Sequence, residues 1–203
     1  MKTRLFLVLV ALFFAVGMNA QDKNIGAGAA FFGDIRLAVQ GAEDHGNLYV
    51  CSYRPVLGGT AYYEMSSGSA SHMFEIDYLT APLAGVKESE KYYIKEWESV
   101  DFQPAKVITG FYYIGINNRS AQRFQLPFYF GVGLSYNDAA PIKFMGFAVG
   151  AKLRARFYIT DRIGIWGGGS AKFGYGETQV TADMSKSVYQ RVLALEAGIT
   201  FSL

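Results

Sequence analysis

From Met145 to Phe157 the apolar side chains fall on every second position (Met145, Phe147, Val149, Ala151, Leu153, Ala155, Phe157), interleaved with Gly146, Ala148, Gly150, Lys152, Arg154 and Arg156. A period of two is the pattern of a strand with two unlike faces. At about 3.3 Å per residue this strand outruns an ordinary globular one and is long enough to cross a bilayer at a tilt. The same alternation runs from Phe124 to Tyr136, where Phe124, Leu126, Phe128, Phe130, Val132, Leu134 and Tyr136 share a face. It returns at the end of the chain, where Leu193, Leu195, Ala197, Ile199, Phe201 and Leu203 oppose Ala194, Glu196, Gly198, Thr200 and Ser202.

Eight such segments are predicted, over 24–32, 48–57, 72–80, 107–117, 123–136, 143–159, 163–175 and 188–203. Eight is the smallest common number of strands in a membrane barrel, so the expected fold is all-β, an eight-stranded antiparallel up-and-down transmembrane β-barrel. The first two segments do not separate cleanly into two faces. With the first strand starting on the periplasmic side, external loops fall at 33–47, 81–106, 137–142 and 176–187, and inner turns at 58–71, 118–122 and 160–162. The turn at 58–71 contains Ala61, Tyr62, Tyr63 and Glu64, and shortens to Ser66-Ser67-Gly68-Ser69 if strand extends into it.

Alternation alone does not say which face points inward, and a soluble ligand-binding barrel is the rival. The less apolar series decides for a membrane barrel, because it carries Gly131, Gly133, Gly146, Gly150, Gly164, Gly168, Gly174 and Gly198. On a water-exposed face glycine weakens a strand and gains nothing, whereas a narrow lumen needs small residues beside large ones. Phe144, Phe157, Tyr158, Phe173, Tyr175, Tyr189 and Phe201 fall near strand ends, as interfacial girdles do. With the polar face inward, Glu75, Asp77, Lys152, Arg154, Arg156, Lys172 and Glu196 share one lumen as a charge cluster whose members can pair. Trp166 shares a register with Lys172, so either it fills the inner mouth or a bulge at Gly167-Gly168-Gly169 resets the phase.

Composition adds location. The chain is 51% hydrophobic and 16% aromatic, with 23 Gly against 5 Pro, yet beyond residue 20 no apolar run approaches the length of a spanning helix. Lys2 and Arg4 precede an apolar stretch from Leu5 to Val16 that closes on Gly17, Met18, Asn19 and Ala20. This is the pattern of a secretory signal peptide cleaved after Ala20, leaving 21–203 as one barrel domain. Removing 1–20 takes two basic residues and no acidic one from the 19 and 17 of the full chain, so the mature chain is formally neutral. No basic block exists to neutralise a phosphate backbone, which argues against nucleic acid as a partner. The lone Cys51 cannot form an internal disulfide.

The longest expected loop, 85–105, is charged with aromatics interleaved, and Tyr92, Tyr93, Trp97 and Phe102 are its candidate contact residues. Exposed aromatics can anchor a partner; the alternative is that the flanking strands extend beyond the membrane. Enzyme signatures are poor. His45 stands beside Glu43 and Asp44 and His72 at the foot of the third strand, but a catalytic triad is defined by geometry and not by sequence neighbours. No His or Cys spacing fits a metal site, and no glycine-rich phosphate loop opens a helix. Neither catalytic residues, metal nor cofactor is expected.

The runs LPFYFGVGLSYND, GAKLRARFYITDRIGIWGGG and LEAGITFSL resemble the small outer-membrane β-barrel (porin-like) family of Bacteroidetes-type bacteria, related in shape to the barrels of OmpA and OmpX. The likeness covers about 107–203. It implies a last strand read by the outer-membrane insertion machinery, here ending in Phe201-Ser202-Leu203 where many relatives end in Phe. No peptidoglycan-binding domain follows, so an anchoring role is not carried over. The expectation is an integral outer-membrane protein in contact with outer-membrane lipids, a non-enzymatic scaffold that meets an extracellular or envelope partner through its external loops. The alternatives are a narrow porin-like channel, a lipid-modifying enzyme and a soluble periplasmic ligand-binding barrel.

Overall fold

A computed structural model describes residues 22–40, 47–88, 103–118, 123–139, 142–181 and 184–203. Among these residues the secondary structure is all strand: β1 (Asp22–Gln40), β2 (Asn47–Tyr53), β3 (Leu57–Ser67), β4 (Ala70–Ala81), β5 (Leu83–Glu88), β6 (Ala105–Asn118), β7 (Phe124–Ala139), β8 (Ile142–Tyr158), β9 (Ile163–Thr181) and β10 (Met184–Ser202). β2 and β3 are two halves of one stave, as are β4 and β5, so the ten strands make eight staves. Each stave pairs antiparallel with its neighbours, and β10 closes on β1 from Asn24 opposite Ser202 to Gln40 opposite Ser187. Closure removes the open edges of the wall, except along β5 at the far end, which pairs only with β2 among the described residues.

We call the end where β1 starts and β10 finishes the near end. The two described reversals there, β3 to β4 and β8 to β9, are tight. Gly68 adopts φ +62° in the turn between β3 and β4, a conformation that an L side chain resists. Between β8 and β9 the Thr160 hydroxyl accepts from the amides of Arg162 and Ile163 at 3.3 and 3.0 Å.

Strands run further than the pattern predicts. β1 continues to Gln40, where a loop from 33 is expected; β7 and β8 are separated only by 140–141; β9 and β10 extend to Thr181 and from Met184. The inner turn at 58–71 takes its shorter form, since strand extends into it and β3 and β4 leave only the reversal around Gly68. β5 carries strand through Glu88 and β6 begins at Ala105.

Polarity inverts along the barrel axis, which explains why the extra strand escaped the pattern. In the near-end section and around mid-height the outside is apolar and the inside polar. Met145, Phe147 and Phe130 on the wall are 68%, 79% and 63% exposed. Such a belt is favourable only against a non-aqueous surrounding. In the far-end section Ile35, Leu37, Val39, Cys51, Tyr53, Val56, Val107, Ile142, Phe144 and Val188 point inward and form one buried apolar core, while Arg36, Lys106, Lys143 and Glu177 are exposed. The expectation of a uniformly polar interior is therefore corrected, and Phe144 and Tyr158 belong to no girdle because both are buried inside. Phe157, Phe173, Tyr175, Tyr189 and Phe201 do lie on the outer wall.

Two irregularities sit at the level of the inversion. β1 carries one extra residue between Ala30 and Phe32, so Phe31 and Phe32 both face out. Facing it, the second stave breaks at Arg54-Pro55-Val56, where proline has no amide hydrogen to give the ladder. Tyr53 above the break and Val56 below it both point inward. These shifts blur the two faces of the first two staves. The pairings β8–β9 and β9–β10 pass Gly167-Gly168-Gly169 without interruption, so no bulge resets the phase there.

Candidate functional site

The lumen at mid-height is built outward from β8. Lys152, Arg154 and Arg156 occupy alternate positions, so a single strand aims three cations inward. β9 adds Lys172, β4 adds Glu75 and Asp77, β10 adds Glu196 and β3 adds Glu64, and all eight residues are buried. Four cations meet four anions. Burying ions in this way is tolerable only when each is paired and hydrogen-bonded.

Glu75 is the hub. Its Oε2 accepts from Lys152 Nζ at 2.5 Å and Arg154 Nη2 at 3.1 Å, and its Oε1 from Lys172 Nζ at 3.3 Å. Lys152 also reaches Glu196 Oε2 at 2.6 Å, and the Ser170 hydroxyl donates to the other oxygen of Glu196 at 2.6 Å. Lys172 donates to Asp77, which also accepts from Thr109 Oγ1 at 2.5 Å. Towards the near end Arg156 pairs with Glu64, whose Oε1 accepts from Tyr129 Oη at 2.8 Å. Arg156 Nη1 also donates to Gln125 Oε1 at 3.1 Å.

Aromatic side chains complete the layer. The Arg154 guanidinium lies between the rings of Tyr62 and Trp166, 4.0 and 4.1 Å from their centroids, the arrangement in which a desolvated cation gains most from ring faces. Trp166 thus fills the interior, and its Nε1 donates to the Ile199 carbonyl at 3.1 Å. Room for these rings comes from glycines opposite. A Cβ on Gly28 would stand 2.5 Å from the Trp166 ring, and one on Gly115 would stand 2.3 Å from the Tyr129 ring.

The structure brings all seven residues of the expected charge cluster together and adds Tyr129, from the inward face of the expected strand 123–136, and Glu64 and Tyr62, which sequence reasoning left out of the lumen. The alternation of Tyr62, Glu64 and Ser66 with Ala61 and Tyr63 was the available signal, carried only as a strand-extension alternative to a turn. Carboxylate oxygens of Glu75, Asp77 and Glu196 come within 4.8 Å of one another, a spacing a metal could use. The ammonium groups of Lys152 and Lys172 already stand between them.

Below the network a polar cup of about 300 Å³ opens at the near end, lined by Asn24, Asn117, Arg123, Gln125, Tyr158 and Asp161 among others. Above it the apolar core begins at once: Leu79 follows Asp77 on the inward face of β4, and Ala194 precedes Glu196 on that of β10. Cys51 lies in this far-end core, where burial pushes its thiol up to about 11, out of the range of a reactive thiolate. His72 faces outward, its Nδ1 2.6 Å from Tyr112 Oη. Tyr92, Tyr93, Trp97, Phe102, Glu43, Asp44, His45 and 1–21 lie outside the described residues.

No protein-family model and no curated protein sequence matches the chain. Solved structures do. The outer membrane protein OprG from Pseudomonas aeruginosa superposes with a TM-score of 0.58 at 10% identity, covering 91% of this chain and 97% of that one. A major outer membrane protein from Thermus thermophilus gives 0.53 at 12% identity, over 90% and 99% of the two chains. Neisserial surface protein A gives 0.51 at 9% identity, over 88% and 96%.

The chain has the fold of an outer-membrane β-barrel. The exposed apolar belt runs around the outside of this fold at the height of the polar network, which lies inside it. The likeness is one of architecture, because at this identity the residues of the network have no counterpart to be read from the neighbours.

Proposed function

We propose that the protein is an integral outer-membrane scaffold, non-enzymatic and not a channel, which acts through the segments at its far end. The observation that carries the reading is the filled interior. Ion pairs, aromatic rings and an apolar core succeed one another along the axis among the described residues. An ion entering the near-end cup meets Arg156 and Glu64 and then side chains that exclude water. In this reading the near end is periplasmic and the far end external, because short turns belong on the inner side and longer connections outside. Residues 89–102, joining β5 to β6 at the far end, carry Tyr92, Tyr93, Trp97 and Phe102 and are the proposed contact surface for an extracellular or envelope protein.

Planar-bilayer recording of the purified, folded barrel tests the closed interior. No stable conductance steps are expected; steps that change on Arg154→Ala would make the porin-like reading the better one. Replacing 89–102 by a Gly/Ser linker then tests the contact surface. The variant is expected to keep its gel shift on boiling while cells displaying it lose the surface attachment that wild type confers. Attachment undiminished by the replacement counts against this surface.

A further inference from the structure

The outer wall is not uniform at the height where the barrel inverts. A groove of about 730 Å³ crosses the outside of the barrel here, from β7 over β8, β9 and β10 to β1 and Arg54 of the second stave. Its floor is formed by small residues, Gly169 and Ala171 on β9 and Ala151 on β8, with Phe32, Leu195 and Phe128 as higher walls. At its far-end margin stand Arg36, Arg54 and Arg191 with a single carboxylate, Asp34. Asp34 Oδ2 accepts from Arg36 Nε at 2.9 Å and from Arg191 Nη2 at 2.6 Å. One carboxylate oxygen therefore holds two guanidinium groups, and three cations against one anion leave a net charge of +2. Arg191 Nε is enclosed without a hydrogen-bond partner.

This charge is local. The exposed or half-exposed charged residues at the far-end margin of β6 to β9 are Lys106, Asp138, Lys143 and Glu177, which sum to zero, and Lys143 is paired with Asp138 at 3.2 Å. Three planar, weakly hydrated donors gathered at the top of an apolar groove fit a phosphate whose ester carries acyl chains. The chains would lie on the shallow floor, and the head group would sit where the belt gives way to water. We infer that this groove is a specific site for a phosphorylated lipid of the surrounding leaflet, held through Arg36, Arg54 and Arg191. The inference rests on the membrane-spanning reading of the belt, and not on the proposed partner at the far end.

The test is native mass spectrometry of the folded barrel in detergent, titrated with diphosphorylated lipid A, with phosphatidylcholine and with inorganic phosphate. Wild type is expected to retain one lipid A molecule in preference to phosphatidylcholine, undisturbed by millimolar phosphate. The double variant Arg36→Gln/Arg54→Gln, which keeps the Arg191–Asp34 pair, should bind it at least about tenfold more weakly, the loss expected for two charge-assisted contacts. Lys106→Gln/Lys143→Gln on the opposite side should leave binding unchanged, and Arg→Lys at 36 and 54 should restore part of it. A boiling-dependent gel shift in every variant certifies the fold independently. Equal retention of lipid A and phosphatidylcholine, or an undiminished affinity in the double glutamine variant, overturns the site.

Discussion

Glu75 illustrates how much depends on one side chain in this lumen. Its two oxygens are shared among Lys152, Arg154 and Lys172, so Glu75→Gln keeps the shape but leaves three buried cations with one anion fewer. Breaking a buried pair in this way costs about 3–5 kcal/mol, because the partner stays buried and uncompensated. A half-exposed pair such as Arg36–Asp34 contributes about 1 kcal/mol or less. Urea unfolding of the barrel in detergent, followed by tryptophan fluorescence, should therefore show a large loss for Glu75→Gln and little change for Asp34→Asn. Similar losses for both would mean that water reaches the lumen network and screens it. At this scale the sequence was readable where a strand alternates cleanly, as at Lys152, Arg154 and Arg156. Glu64 escaped for a physical reason: the glycines and serines around it carry the chemistry of a turn, and only pairing with β1 and β4 holds the segment as strand.

At the scale of elements, the first two staves are the ones that the pattern could not assign. Their side chains change face part-way: Asn24 and Ala30 point inward in the lower half of β1 at even positions, Ile35 and Leu37 in the upper half at odd ones. No single period fits a strand with an extra residue in it. The change of phase in β1 faces the one at Arg54-Pro55, and four residues stand between the pairs Ala30–Gly58 and Ile35–Tyr53 on each side. Deleting Phe31 alone, or Pro55 alone, should leave the two staves mismatched by one and lower the temperature at which the unboiled gel band is lost. Deleting both should recover most of that loss. Additive losses in the double deletion would show that the two irregularities are independent. The long strands from β6 to β10 were found from the pattern, with the far ends of β6 and β8 placed within two residues; those of β7, β9 and β10 were not, because there the apolar positions move to the inner face and a two-faced period no longer marks a membrane wall.

For the molecule as a whole, one chain serves two solvents in succession. Around the network, apolar side chains face out and ions are neutralised within; past it, the order is that of a water-soluble barrel with a greasy centre. Fold class and membrane setting could be read from alternation and composition, since both depend on short-range pattern. A lumen plugged by ion pairs was legible too; its aromatic packing was not, because that depends on which rings and glycines meet across the barrel, as Trp166 and Gly28 do. This inversion also sets the depth at which the barrel can float. Sinking it by one residue pair would drive Arg36 and Arg191 into hydrocarbon, while raising it would lift Phe32 and Leu195 into water. Each displacement carries an energetic penalty per ångström. On the proposed membrane setting, the wall fixes the depth of the barrel at the level where Phe32 gives way to Asp34.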